Sequence, residues 1–210
     1  MQVQKELREQ IRIDALPDEA IKTVGGIDAS FGKQEIYSAV VVLNYPTLET
    51  VERAEAQEQI NFPYIPGLLS FREAPVFLTG LARLKSLPDV LIVDGHGLAH
   101  PRRFGLACHL GVLLDLPTIG CAKSILVGEV GHLGTSRGST AEIWDGQEVL
   151  GLAVRTRENV KPVYVSIGHR VDLPSAARII LSCASGYRLP EPTRQAHILA
   201  KQIKPDRLVN

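Results

Sequence analysis

The sequence predicts an α/β fold in which a mixed β-sheet carries helices on both faces. Three segments rich in β-branched and apolar residues follow one another in the first half of the chain, separated by short turns, which predicts antiparallel pairing. Helical patterns then alternate with further short strands, which is typical of parallel pairing. In open sheets of this kind, sites lie at the carboxyl ends of strands.

The individual elements follow from apolar spacing and from the positions of Pro and Gly. Residues 1–22 are predicted to form one amphipathic helix, with Leu7, Ile11 and Leu16 on the same side. Strands are predicted at residues 24–28, 36–45, 90–93, 118–121, 147–155 and 163–167, with further short strands and turns between 142 and 167. Helices are predicted from about residue 75 to 85, over 103–114, over 174–185 and from about 192 to 204.

Residues 49–60 fit two structures. Glutamates recur at every third position from 49 to 58, as on a solvated helical face, but Val51, Arg53, Glu55 and Gln57 also alternate as on an edge strand. A hairpin turn directly before this segment favours the strand. The next segment, 61–70, is predicted to be a loop because two prolines and a glycine interrupt it.

Composition predicts one ordinary domain spanning residues 1–210. The hydrophobic fraction is 45% and the charged fraction is 22%, which is enough apolar material for a core. The longest apolar run is too short for a membrane span, and the N-terminus is polar rather than signal-like, so a soluble cytoplasmic protein is expected. Three widely spaced cysteines predict reduced thiols rather than a disulfide framework or a zinc ribbon.

The charge balance argues against binding nucleic acid by charge alone. The chain has 23 basic and 23 acidic residues, whereas domains that bind nucleic acid in this way are usually basic. A nuclease remains compatible with neutral total charge if its cations gather around one groove.

Two aspartates follow short apolar strands. Asp28 comes after VGGI and Asp94 after VLIV, and a carboxylate there is costly to ionise unless it is paired or metal-bound. Each could instead cap the following turn. On neighbouring strands they would form an oxygen site suited to Mg²⁺ or Mn²⁺. Glu73 is either a third carboxylate or a favourable charge at a helix start, and Lys123 is either exposed or a point charge for a phosphate.

The loop 94–105, DGHGLAHPRRFG, has the composition of a ligand-binding loop. Its glycines let backbone approach a ligand closely, while His100, Arg102 and Arg103 add hydrogen-bond donors and positive charge. His96 and His100 have the spacing of zinc ligands on a helix, but the glycines and the proline in this loop disfavour a helix, so zinc is not expected.

The ordered motifs GGIDASFG, PYIPGLLSFRE, VDGHGLAHPRRFGLACHLG, GCAKS, VSIGHRVDL and LPEPTRQAH resemble those of the endonuclease V family over residues 20–205. The resemblance implies a ribonuclease H-like fold and hydrolysis dependent on Mg²⁺, with Mn²⁺ as a substitute. It assigns Asp28 and Asp94 as metal carboxylates, completed by Glu73, and places Lys123 at the scissile phosphate. His197 takes the place of a final metal-proximal residue, with an ordinary surface histidine as the alternative.

The resemblance also assigns residues to recognition of the damaged base. Tyr64 and Ile65 of the PYIP segment resemble a wedge that fills the gap left by an extruded base, although an ordinary proline-rich loop has the same composition. The candidates for reading the hypoxanthine edge or holding the strand are Gly97, Leu98, His100, Gly105, Ala122 and Ser124. Arg102 and Arg103 are expected to contact phosphates rather than bases.

The implied partner is DNA that contains deoxyinosine, cut at the second phosphodiester on the 3′ side of the lesion to leave a 3′-hydroxyl and a 5′-phosphate, as a step in DNA repair. Some members of the family prefer inosine in RNA. A monomer without a membrane partner is expected. The alternatives are a nuclease of the same fold acting on nicked, branched or mismatched DNA, a binding module that does not cut, and a metal-dependent phosphatase.

Overall fold

The computed structural model describes residues 2–205, and within them five α-helices surround one nine-stranded sheet. The helices are α1 (Gln2–Arg8), α2 (Leu69–Leu81), α3 (Leu106–Leu114), α4 (Leu173–Ser182) and α5 (Glu191–Gln202). The strands are β1 (Thr23–Phe31), β2 (Glu35–Asn44), β3 (Thr50–Gln59), β4 (Val90–Val93), β5 (Thr118–Ala122), β6 (Glu129–Val130), β7 (Thr140–Asp145), β8 (Glu148–Val154) and β9 (Val163–His169).

The sheet is mixed, as predicted. Its strand order is β3-β2-β1-β4-β5-β9-β8-β7-β6. Strand β1 pairs with β2 in antiparallel fashion and with β4 in parallel, and β5 is parallel to β4 but antiparallel to β9. The central strands β1, β4 and β5 therefore end at the same edge of the sheet, which is where sites form in such folds.

Two hydrophobic cores lie on opposite faces of the sheet. One combines Val24, Val41 and Ile92 with apolar residues of α4 and α5. The other combines Ile27 and Val93 with apolar residues of α2 and α3. Because successive strand residues point to opposite faces, these buried strands supply both cores, and helices cover both faces as predicted.

The predicted helix over residues 1–22 is wrong beyond Arg8, and Met1 lies outside the described residues. After α1 the α-helix does not continue: Asp18–Ala20 form one 3-10 turn, and several backbone groups before it make hydrogen bonds with other parts of the fold. The Arg12 N–H donates to Nδ1 of His169 at 3.2 Å, and the Arg12 carbonyl accepts from the Arg170 N–H at 2.7 Å. These contacts satisfy the backbone that a helix would have satisfied, so apolar spacing alone misjudged the segment.

The other predicted elements are present, with shifted ends. Residues 50–59 form strand β3, paired with β2, which confirms the favoured interpretation. Helix α2 begins at Leu69, so Pro75 lies inside it rather than in its first turn. Helix α3 begins at Leu106 rather than at 103, because Arg103 has a φ of 53°. Strand β6 was not predicted.

Two expectations from composition can be compared with the structure. Cys108, Cys121 and Cys183 are all free and buried, and burial raises the pKa of the Cys108 thiol to about 12. Within residues 2–205, no helix combines the length and the apolar character needed to cross a membrane.

Candidate active site

The pairing of β1 with β4 brings two aspartates together. Ile27 is the register partner of Val93, and the Asp94 N–H donates to the Ile27 carbonyl at 3.3 Å. Asp28, the next residue of β1, and Asp94, which directly follows β4, therefore lie side by side. Their side chains are mostly buried, with relative exposures of 14% and 13%.

Helix α5 adds a histidine to this pair. Nδ1 of His197 lies 2.5 Å from Oδ2 of Asp28. The helix packs closely on β1 because Gly26 has no side chain there: a Cβ at this position would lie 2.0 Å from the carbonyl carbon of Pro192. Ligand atoms of Asp28, Asp94 and His197 all lie within 4.8 Å of one another. Two carboxylates and an imidazole at this spacing fit a divalent cation that prefers oxygen.

Lys123 lies at the same edge, directly after β5. Its ammonium group forms an ion pair with Oδ2 of Asp94. The backbone of Lys123 is held by Arg188, whose Nη2 donates to the Lys123 carbonyl at 2.5 Å and to the Pro162 carbonyl at 2.8 Å. By binding both carbonyls, Nη2 of Arg188 links the turn that carries Lys123 to the chain before β9.

Glu73 approaches the aspartates from α2. The residue is 8% exposed. Burial and then repulsion from Asp28 and Asp94 raise the pKa of the Glu73 carboxyl to about 8. Burial, followed by repulsion from Asp94, also raises the pKa of Asp28, against the opposing effect of its hydrogen bond with His197. Raised carboxylate pKa values clustered in one place are typical of functional sites.

A pocket of about 140 Å³ opens beside Asp94. It is lined by Tyr64, Gly67, Leu69, Ser70, Asp94, Gly95, His96, His100, Gly105, Leu106 and Leu126. Among residues 2–205, the buried Oγ of Ser70 and the buried Nδ1 of His96 have no hydrogen-bond partner. Buried polar atoms are normally paired, so these two atoms are unusual among the residues that line the pocket.

The structure brings together some of the predicted recognition residues. Tyr64, His100 and Gly105 line the pocket, and Tyr64 has an exposed fraction of 66%. Burial, with the neighbouring Arg102 and His96 charges, lowers the pKa of His100 to about 4, so this imidazole is neutral near pH 7. The exposed Ile65 lies in the same loop as Tyr64.

The other predicted recognition residues lie beside the pocket rather than in its wall. Gly97 packs on β9: its N–H donates to Oγ of Ser166 at 2.9 Å, and a Cβ on it would lie 1.9 Å from the Ile167 carbonyl oxygen. The Leu98 N–H donates to the same carbonyl at 2.7 Å. Ala122 is the buried last residue of β5, and Ser124 is exposed in the loop after it.

The two arginines of the loop already have partners within the protein. Arg103 binds Asp145 at 2.7 Å and Glu148 at 2.8 Å. The Arg102 guanidinium donates to Oε1 of Gln4 at 2.6 Å and to the Gly67 carbonyl. Their contact with phosphate stays a prediction.

Sequence reasoning missed four polar residues that support this site: Gln4, Ser70, Ser166 and Arg188. Ser166 had a detectable signal, since a serine inside the apolar strand VYVSIGH needs a buried partner. Gln4 had none, because a glutamine in a polar N-terminal segment looks like a solvated residue.

Comparisons of sequence and of structure with known proteins all identify similarity to one family. The family model of endonuclease V matches residues 5–198. An endonuclease V from Gloeobacter violaceus is 53% identical over 213 residues, covering 99% of this chain and 86% of that protein. The crystal structure of endonuclease V from Streptomyces avermitilis has a TM-score of 0.92 and 44% identity, over 95% of this chain and 89% of that one.

A further similar structure contains nucleic acid. Endonuclease V from Ciona intestinalis, in complex with a 24mer DNA containing an inosine followed by a ribo-adenosine, has a TM-score of 0.83 and 32% identity, over 96% of this chain and 94% of that one. The close superposition on these structures confirms the predicted ribonuclease H-like fold.

Proposed function

The chain belongs to the endonuclease V family, and we propose that it is a Mg²⁺-dependent endonuclease that recognises deoxyinosine in DNA and cuts the strand beside it. The observation that carries the proposal is the convergence of Asp28, Asp94 and His197 from three separate elements. The partner is proposed from the Ciona intestinalis relative, whose structure contains inosine-bearing DNA.

Asp28 and Asp94 are proposed to hold the cation, with His197 beside them. The donor set fits, because Mg²⁺ and Mn²⁺ both prefer carboxylate oxygen and tolerate an imidazole, so Mn²⁺ should replace Mg²⁺. When bound, such an ion supplies a Lewis acid for the scissile phosphate and lowers the pKa of water. The mostly buried position of both carboxylates favours this role, since a cation offsets the cost of burying two negative charges.

The remaining side chains have distinct proposed roles. Lys123 places its ammonium group beside Asp94, where it can stabilise the negative charge of the phosphate as a point charge. His197 orients the Asp28 carboxylate through its Nδ1 contact. Glu73 is buried close to both aspartates, so it is proposed to complete the acidic set by holding the cation through water or by orienting the attacking water.

The pocket is proposed to receive the extruded base. At about 140 Å³ it is smaller than the roughly 300–1,000 Å³ of sites for larger ligands, so it suits a single small planar group. Hypoxanthine presents an O6 acceptor and an N1–H donor, and the unpartnered atoms of Ser70 and His96 can meet polar groups of this kind. Tyr64 and Ile65, exposed at the opening, are the proposed wedge between base pairs.

The other predicted contacts are retained as part of this proposal. The backbone around the pocket is shaped by Gly97, Leu98, Gly105 and Ala122. His100 lines the pocket with a neutral imidazole. Ser124 lies beside Lys123 and is proposed to contact the strand. The proposed cut is at the second phosphodiester on the 3′ side of the lesion and leaves a 3′-hydroxyl and a 5′-phosphate, as a step in DNA repair. This position follows from the family resemblance, and inosine-containing RNA is the alternative substrate.

The test is cleavage of end-labelled strands by the purified protein. Matched duplexes with deoxyinosine, with adenine and with a mismatch are incubated with Mg²⁺, with Mn²⁺ and with EDTA, and the cut is mapped to the nucleotide. We expect cutting of the inosine strand alone, lost in EDTA and in Asp94→Asn. Asp14→Asn, which changes an exposed carboxylate, is the matched control and should cut normally. Equal cutting of inosine-free mismatched DNA would favour a nuclease for another substrate.

A further inference from the structure

The N-terminal helix contributes one buried polar side chain to the edge of the site. Gln4 is 1% exposed, whereas its neighbours on α1 face solvent. Its Nε2 donates to the carbonyl of Gly67 at 3.2 Å and to that of Phe104 at 3.4 Å, and its Oε1 accepts from Nε of Arg102 at 2.6 Å. This amide therefore connects α1 with two separate loops of the site.

The Gly67 carbonyl is the point where these contacts meet. Arg102 donates to it through Nη2, and Gln4 donates to it through Nε2. Gly67 has a φ of 76°, and a Cβ on it would lie 2.4 Å from Nη2 of Arg102. Glycine is required here both for the left-handed backbone and for the approach of the guanidinium.

Gly67 ends the segment that carries the proposed wedge. Tyr64 and Ile65 have exposed fractions of 66% and 39%, so packing holds the tip of this loop weakly. Its anchor is therefore at Gly67, three residues after Tyr64. A loop fixed before binding loses less conformational entropy when it inserts into a duplex.

We propose that Gln4 and Arg102 form a clamp on the Gly67 carbonyl that positions Tyr64 at the opening of the pocket. This inference rests on the proposed function and deepens it by assigning two positioning residues for base recognition. Arg102 acts through Gly67, since its Nε and Nη2 are both used within the protein. The clamp also gives α1 a role in recognition although α1 lies outside the metal site.

The test compares Gln4→Ala with Gln2→Ala, a matched control on the same helix whose side chain is exposed and hydrogen-bonds Glu6. Arg102→Lys keeps the charge but cannot reach both partners with a planar fork. Gln4→Glu keeps the acceptor for Arg102 and loses the donation to Gly67, so it provides a second variant should Gln4→Ala fold poorly.

Two readouts are expected to change. Hydrogen exchange of the amides in residues 62–68 of the free protein should be about tenfold faster in Gln4→Ala and Arg102→Lys, as for the loss of one buried hydrogen bond, and unchanged in Gln2→Ala. KM for an inosine duplex should rise about tenfold, with kcat nearly constant, while KM for the single strand changes by less than about twofold. In both variants, Gln4→Ala and Arg102→Lys, the salt dependence of duplex binding should equal that of the wild type.

Three results would overturn the clamp. The first is unchanged exchange in residues 62–68 of both variants. The second is an equal rise in KM for duplex and single strand, which would indicate a general structural role. The third combines two observations: Arg102→Lys has the exchange rates and KM of the wild type, and Arg102→Ala binds duplex with a salt dependence (log binding constant against log salt concentration) whose slope is smaller by about one. Together they would indicate that Arg102 contacts a phosphate. A wild-type protein without preference for inosine would instead overturn the proposed function, and the exchange measurement would still decide whether the clamp holds the loop.

Discussion

Replacing Gly26 with Ala tests whether the close packing of α5 on β1 sets the position of His197. A Cβ at residue 26 would lie 2.0 Å from the Pro192 carbonyl carbon, whereas ordinary contact begins at 3.4 Å, so the helix must move by the difference, about 1.4 Å. A similar displacement of His197 would stretch its 2.5 Å contact with Asp28 beyond hydrogen-bond range. Misplacement by about 1 Å can cost about 100-fold in rate.

The assay measures both turnover and stability. Overpacking of this kind costs about 1–3 kcal/mol, and each kcal/mol lowers Tm by about 2–4 °C for a chain of this size. We expect kcat on an inosine strand to fall by about 10- to 100-fold in Gly26→Ala, and no further in Gly26→Ala/His197→Ala than in His197→Ala. Gly131→Ala is the matched control, since its Cβ would meet nothing closer than 4.0 Å.

Turnover equal to that of the wild type in Gly26→Ala, together with a lowered Tm, would refute this reasoning. It would show that the fold absorbs the clash without moving His197, or that the position of His197 is immaterial to cutting.

Three further predictions concern single side chains. Tyr64→Ala should weaken inosine binding by about tenfold in a duplex and less in a single strand, since the exposed ring acts by filling the gap in the stack; equal losses would count against a wedge. Lys123→Met should lower kcat by about 100-fold with little change in KM, because the lost charge is used in the transition state, and Lys123→Arg should recover part of it; unchanged turnover would remove Lys123 from the phosphate site. Burial lowers the pKa of His100 to about 4, so as pH falls from about 6.5 towards 4 the unfolded chain takes up a proton that the folded protein does not. The free energy of unfolding therefore decreases over that window, by at most about 1.4 kcal/mol per pH unit. Urea unfolding of His100→Asn should show a shallower pH dependence over that window, and an identical slope would contradict the neutral buried imidazole.

The sheet and the two aspartates could be predicted because their signals are local. Apolar, β-branched segments indicate strands that are buried on both faces. Asp28 and Asp94 each come directly after such a segment in the sequence. The register of β1 with β4 then brought together residues that were separate in the sequence. If the two strands are parallel neighbours, the residues that follow their apolar segments are expected to lie side by side.

The errors arose where tertiary contacts decide local structure. The start of α2 at Leu69 has no side-chain cap, so no capping residue marks it, and Pro75 was mistaken for the first turn. Segment 9–17 has helical spacing, but its backbone binds His169, Arg170 and Ser175. Nor could spacing show that Gln4 reaches Gly67, because that contact joins residues 63 positions apart.

The convergence of Asp28, Asp94 and His197 around one divalent cation is tested most directly by diffraction at the manganese absorption edge from crystals soaked in Mn²⁺. We expect an anomalous peak within coordinating distance of carboxylate oxygens from both Asp28 and Asp94, and its loss in Asp94→Asn. An anomalous map with no peak between the two carboxylates at saturating Mn²⁺, or with its peak elsewhere in the molecule, would contradict the metal-dependent hydrolysis proposed for this protein.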